Sequence, residues 1–232
     1  KSSGQPVPLD IVFAHKYSRI ALELNSMGMF AGMNHVGVSI SGATANTSTF
    51  NLKKGSLSKI ASSPVDIDFS DFTNIEPPFE DRKIAYIYTA LENPINLIVS
   101  INALDVQFDN AAHRVFNSLS ANPAEFNFTF TPQLGASYSA KIDFIESPLT
   151  VNSRRWARTD LYYHGGHNPY RFLPTNAHTN ARNTYFSFRG ILPTGYGNSL
   201  VGGDPCALVY PEGLWRTPGF NDFALLTPIY PI

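Results

Sequence analysis

Apolar side chains recur at every second position along most of this chain, the spacing that sets alternate side chains on opposite faces of a β-strand. Ile20, Leu22 and Leu24 alternate with Ala21, Glu23 and Asn25, and Val36, Val38 and Ile40 repeat the pattern. Val65, Ile67 and Phe69 alternate with Asp66 and Asp68, which places both aspartates on a solvated strand face. Then come Ile84, Tyr86 and Tyr88; Ile95, Leu97, Val99 and Ile101; Phe126, Phe128 and Phe130; and Tyr138, Ala140, Ile142 and Phe144. Each run is short and ends in turn-forming residues, so each predicts a strand with one buried face. Helical spacing is confined to one or two turns between Ala111 and Leu119.

An all-β chain follows, and short, evenly spaced strands favour antiparallel sandwiches over βαβ units, which need long crossover helices. At 232 residues, two sandwiches fit: residues 1–130 and 131–232, with the break in the Pro- and Gly-containing stretch that ends at Gly135. From Ser153 onward the alternation fades into aromatics, Gly, Pro and Asn, which predicts long loops pinned by aromatic anchors. Only 15% of residues are charged and the formal net charge is -1, so no broad field attracts nucleic acid. The one cysteine, Cys206, permits neither an internal disulfide nor a thiolate metal site. No stretch approaches the roughly 20 apolar residues of a membrane-spanning helix.

Each candidate for chemistry has a structural counter-reading. His164-Gly165-Gly166-His167, with His178 beyond, offers imidazoles, but no carboxylate or thiolate stands among them and the glycines give no rigid frame. They read as solvated turn histidines, and no metal or cofactor is expected. His15 follows the apolar run Ile11-Val12-Phe13-Ala14 and reads as a structural histidine on a sheet face, because no nucleophile or phosphate-loop motif accompanies it. Asp66, Asp68, Asp71, Glu76, Glu80 and Asp81 are numerous, yet their spacing does not pair two carboxylates across a cleft. Trp156, Tyr162, Tyr163, Tyr170, Trp215 and Phe220 could stack on sugar rings, but core anchoring explains them without a ligand.

Several segments together resemble the fimbrillin-like proteins of anaerobic Gram-negative gut and oral bacteria. Pro8-Leu9-Asp10-Ile11-Val12-Phe13-Ala14-His15-Lys16-Tyr17-Ser18-Arg19 is similar to the strand that opens that family's first domain. Thr49-Phe50-Asn51-Leu52 with Gly55, and Leu134-Gly135-Ala136-Ser137-Tyr138, follow in order. Trp156-Ala157-Arg158-Thr159-Asp160-Leu161-Tyr162 is similar to the family's Trp-Ala-x-Gly-Asn-Leu-Tyr, with Thr-Asp for Gly-Asn. Gly203-Asp204-Pro205-Cys206-Ala207-Leu208 and Trp215-Arg216-Thr217-Pro218 complete the series.

The resemblance implies two transthyretin-like β-sandwich domains, the first lacking its opening strands and the second incomplete at its end. It implies a type V fimbrial subunit or accessory protein, exported as a lipoprotein precursor to the cell surface. There an arginine-specific protease removes a strand, and a neighbouring subunit fills the groove. Partners would be other fimbrial subunits and surface glycoproteins, with no nucleic acid and no catalysis. Phe13, His15, Ser18, Trp156, Leu161, Tyr162, Asp204, Pro205, Cys206, Trp215, Arg216 and Pro218 would be structural. The apolar, proline-stiffened segment Phe223 to Ile232 would need a groove in its own domain or a neighbour's. A surface carbohydrate-binding module using the aromatic loops is the alternative, and a secreted hydrolase a third reading that no catalytic constellation supports.

Overall fold

The computed structural model describes residues 15–90, 92–165, 167–175, 181–197, 201–224 and 226. Phe13 and the rest of the Pro8–Ala14 run, Gly166, His178 and the tail from Thr227 lie outside the described residues. The protein is all-β: among the described residues it has fourteen strands and a single five-residue helix.

One sheet is built around β1 (Ser18–Asn25), the strand with the cleanest alternation. Ile20, Leu22 and Leu24 are fully buried, and the residues between them face outward or are half-covered. A strand of that pattern has its face specified, so its neighbours take their register from it. The order in this sheet is β10 (Ser137–Asp143), β1, β6 (Arg82–Thr89) and the two-residue β5 (Thr73–Asn74). β10 runs parallel to β1 and β6 antiparallel to it. The facing sheet centres on β7 (Ile95–Gln107), flanked on one side by β2 (Gly32–Ser41). Its other side pairs with β8 (His113–Val115) and, along its first half, β9 (Ala124–Phe130). Ile20, Leu22, Leu24, Ala85, Ile87, Ala140 and Ile142 meet Val36, Leu97, Val99, Ile101, Leu104 and Val106 in one core cluster. Each fully buried aliphatic side chain contributes about 2 kcal/mol.

β3 (Thr44–Asn51) and β4 (Ser56–Pro64) form a separate hairpin that shows no apolar alternation. Its described Thr, Ser and Asn side chains are exposed or half-exposed, so no apolar alternation marks it, although Ala45 packs against the core. Gly42 carries the chain from β2 into this hairpin at φ 76°, where a Cβ would stand 1.8 Å from the Asn96 carbonyl oxygen.

Three expected elements differ. Val65 to Phe69 is not a strand, although Val65 is buried and Asp66 and Asp68 face solvent as expected. The Asp68 carboxylate accepts from the Ser70 amide at 2.7 Å and Asp71 accepts from the Asp68 amide at 2.9 Å, closing a 3-10 turn at Phe69–Asp71 instead of leaving the backbone free to pair. Of the helical spacing between Ala111 and Leu119 a single 3-10 turn at Asn117–Ser120 forms, while the turn at Ala111, at φ 62° and braced by the Asn110 side chain on the Ala112 amide, makes a β7–β8 hairpin. In β6 the buried face is Ala85, Ile87 and Thr89, while Tyr86 and Tyr88 point to solvent, the reverse of the expected phase. His15 also differs: it lies exposed ahead of β1, not on a sheet face.

Past β10 the chain forms two short hairpins. β11 (Leu149–Val151) pairs with β12 (Arg154–Trp156), and β13 (Leu161–Tyr163) with β14 (Tyr170–Phe172). Turn-rich chain follows, ending in α1 (Phe220–Ala224). A division after residue 130 is crossed by strand pairing, since seven residue pairs join β1 to β10.

Candidate functional site

Two ion pairs, one nearly enclosed and one half-covered on its arginine, attach the C-terminal hairpins to the end of the β7–β8 sheet. Arg114 of β8 binds both oxygens of buried Glu146, at 3.0 and 2.7 Å. Arg171 of β14 reaches Asp109, just beyond β7, and both side chains are nearly enclosed, at 7% and 12% exposure. The same guanidinium donates through Nε to the Asn168 carbonyl at 3.2 Å and through Nη2 to the His167 carbonyl at 2.8 Å, so it also ties its own hairpin turn. Tyr162 of β13 donates its hydroxyl to the second Asp109 oxygen. Burial, followed by the Asp109 hydrogen bond and charge, pushes the Tyr162 hydroxyl far above the ordinary tyrosine range, so it remains a donor.

The histidines flanking this turn are not equivalent. His164 is half exposed, 3.8 Å from an Asp109 oxygen. His167 is only 12% exposed, stacks on Phe79 at 4.4 Å and sets Nε2 3.1 Å from a buried Asp81 oxygen. It is an inserted side chain rather than the solvated turn histidine its Gly-rich context suggests, and its partner precedes β6, far away in sequence. Among the described residues no three His, Cys, Asp or Glu side chains converge on one point that could hold a metal ion.

The motif residues beyond β14 form a second network. Asp204 caps the 3-10 turn Pro205–Leu208 by accepting from the Cys206 amide at 3.0 Å. It also accepts from the Thr217 amide at 2.9 Å and hydroxyl at 2.7 Å, fastening the Trp215-to-Pro218 stretch to that turn. Arg216 forks onto Asp222 at 2.7 and 2.9 Å. Trp215 packs edge-on against Phe172 at 5.0 Å, and Trp156 lies 5.7 Å from Phe223. Tyr162 and Tyr170 are buried, and Tyr163 is half-buried, so these aromatics act as anchors; Phe220 is exposed. Near the other end, Ser18 is fully buried and donates to the Gln133 carbonyl at 2.6 Å.

Leu161, Pro205, Cys206 and Thr217, all from the quoted motifs, line one open cleft of about 380 Å³ with Asp160, Leu173 and the Thr184–Phe186 stretch. Burial pushes the Cys206 thiol up, only partly opposed by the Thr217 hydrogen bond, so it is a poor nucleophile at neutral pH. Arg171 and Asp109 were not singled out in the sequence. The one local signal was an arginine between two aromatics, Tyr170 and Phe172, since a charge in a strand buried on both faces requires a partner.

Carboxylates in the second network tie it to pH. Burial alone would raise Asp204, but the Thr217 hydroxyl and amide with the Cys206 and Ala207 amides hold its carboxyl below the usual range. The Arg216 hydrogen bond, with the Gly219 amide, takes Asp222 down to about 2. A folded-state value below the unfolded one, about 3.9 for aspartate, gives stability that is present above pH 4 and is lost as the pH falls through the folded value. Between about pH 4 and pH 2 the emission of Trp215 and Trp156, the chain's two tryptophans, is expected to shift while the far-ultraviolet strand signal persists. An Asp204→Asn chain should show the altered emission already at pH 7. Superimposable titrations of the two chains would remove Asp204 from this role.

No family model and no curated protein matches the chain. No described helix is long and apolar enough to cross a membrane.

Proposed function

We propose that this chain is a structural or adhesive subunit of cell-surface fimbriae, assembling by donation of a β-strand from one subunit to the next. On this reading it acts outside the cell by assembly, without catalysis. The β1–β10 sandwich then corresponds to a transthyretin-like domain, and β11 onward to part of a second. The ordered motif resemblance supports the reading.

The observation that carries it is an asymmetry of the sandwich. On one side the sheets are stitched together: Gly32 and Glu80 form a β-bridge, and the Met33 amide donates to the Glu80 carbonyl at 3.1 Å. On the other side β9 pairs only with β7 and β10 only with β1 among the described residues. Phe130 stacks on Tyr138 at 4.9 Å, bringing these two edges together. Phe126, Phe128, Phe130, Tyr138 and Phe144 are half-buried there. Unpaired ladder groups beside half-covered aromatics suit an incoming strand, which would take main-chain hydrogen bonds and complete the burial.

The test uses Cys206→Ser chains carrying a cysteine at Asn127 of β9 or Ser139 of β10, both outward positions, mixed with chains carrying Thr227→Cys. With one engineered thiol per chain, treatment of assembled protein with a short bismaleimide is expected to give a covalent dimer at twice 25.6 kDa. If polymers form with no intermolecular product, or if chains deleted from Thr227 onward polymerise normally, donation by this tail fails.

A further inference from the structure

We infer that the cleft between the β13–β14 hairpin and the Pro205–Leu208 turn is a binding site for a neutral, hydroxyl-rich ligand, one terminal sugar ring of a glycan. This does not rest on the assembly reading; it would give the chain a recognition function of its own.

The first support is size. About 380 Å³ lies in the range of small-ligand sites and is more than ten times the roughly 30 Å³ share of one water. The second is that the walls are fixed by hydrogen bonds and need little ordering on binding. The Leu173 amide donates to the Asp160 carbonyl at 2.9 Å, and the Thr159 hydroxyl to the Leu173 carbonyl at 2.7 Å, which sets the floor. The Tyr185 carbonyl accepts from the Thr194 amide at 2.8 Å, which holds one wall, and Asp204 holds Thr217 in the other. A cleft organised before binding loses less conformational entropy when filled.

The third support is the chemistry of the lining. Leu161 and Leu173 present aliphatic surface, and Tyr185, 44% exposed, lines the same cleft as Asp160. That carboxylate is exposed and meets no hydrogen-bond or ion-pair partner among the described residues. A carboxylate only accepts, so it calls for a ligand rich in O–H or N–H donors. Among the described residues no Lys, Arg or His lines the cleft, which disfavours phosphate, sulfate and acidic sugars. A pyranose ring has one face of C–H groups for the aromatic and aliphatic surface and a rim of hydroxyls for the carboxylate.

The experiment is saturation-transfer NMR on the intact chain with glucose, galactose, mannose, fucose and N-acetylglucosamine, each at about 10 mM, a level suited to millimolar affinity. N-acetylneuraminic acid and choline are the anionic and cationic comparisons. In parallel, alkylation of Cys206, the only thiol and a lining residue, is timed with and without sugar. At least one neutral sugar is expected to show transfer and to slow alkylation. Tyr185→Ala and the near-isosteric Asp160→Asn should each cut transfer about fivefold to tenfold with an unchanged melting temperature. Phe188→Ala, at an exposed aromatic outside the lining, should leave it unchanged. The inference is overturned if no neutral sugar shows transfer, if only choline or the acidic sugar binds, or if transfer survives both cleft substitutions without protecting Cys206. The assembly crosslinks are read independently, so failure here leaves that reading intact.

Discussion

Replacing Arg171 with alanine is expected to destabilise the protein by about 3 to 5 kcal/mol, the range for removing one partner of a buried ion pair. The loss is large because three kinds of group are orphaned together. Asp109 keeps a nearly enclosed carboxylate with the Tyr162 hydroxyl as its hydrogen-bond donor and half-exposed His164 at 3.8 Å. The His167 and Asn168 carbonyls lose the donors that shape the hairpin turn. The aliphatic stem, lying between Tyr170 and Phe172 in a strand buried along its length, leaves a void. Lysine in place of Arg171 keeps the charge but cannot reach Asp109 and two carbonyls at once, so Arg171→Lys should fall between wild type and Arg171→Ala. For a chain of this size the alanine variant should melt roughly 6 to 20 °C lower. Pairing Arg171→Met with Asp109→Asn should cost less than the two single losses combined, since no buried charge is then left alone. A single-variant loss below about 1 kcal/mol would mean that the pair is solvated and does not hold the hairpin.

That network also shows where sequence reading reaches its limit. β1, β2, β7, β9 and β10 were visible because one face of each is apolar and the other polar, and burial along a strand acts directly on that pattern. The β3–β4 hairpin was not, because its described Thr, Ser and Asn side chains leave no alternating apolar face, and beyond its ladder it is tied to the sandwich by Ala45 and by Asn46 on Thr89. Alternation also reports which side chains face inward, not whether the backbone has a partner: Val65 to Phe69 keeps its inward and outward sides while Asp68 bends it into a turn. The ion pairs were invisible for a different reason. Asp109 and Arg171 are 62 residues apart and Arg114 and Glu146 are 32 apart, and nothing local in either member specifies the other. The cleft falls between these cases. Leu161, Pro205, Cys206 and Thr217 stand in recognisable motifs, yet only the docking of β13–β14 brings them around one cleft. Phe13 and His178 lie outside the described residues, and His15 has no described partner in a sheet.

The phase of β6 is the point where the two readings oppose each other most directly, and one pair of substitutions separates them. In Arg82–Thr89 both alternate sets hold apolar residues: Ile84, Tyr86 and Tyr88 in one, Ala85 and Ile87 in the other. Aromatic bulk favours burying the first set. β1 decides otherwise, because its own phase is unambiguous and cross-strand partners share a face. Ile20 stands opposite Ile87 and Leu22 opposite Ala85, so both pairs enter the core, while Arg19 and Ala21 face Tyr88 and Tyr86 on the outside. Outside, the Arg19 guanidinium lies 5.0 Å from the Tyr86 ring, and inside, the Thr89 hydroxyl accepts from Asn46 at 3.1 Å. Ile87 is 2% exposed and Tyr88 is 52% exposed. Ile87→Ala should therefore cost about 2 to 5 kcal/mol, the sum of lost transfer energy and the cavity left between the sheets. Tyr88→Thr removes a larger side chain but keeps β-branching at a solvated position, and should change stability by about 0.5 kcal/mol or less. Urea unfolding of both variants, with equal slopes, reads the comparison directly. If Tyr88→Thr proves the costlier change, β6 turns Tyr86 and Tyr88, not Ala85 and Ile87, toward the core.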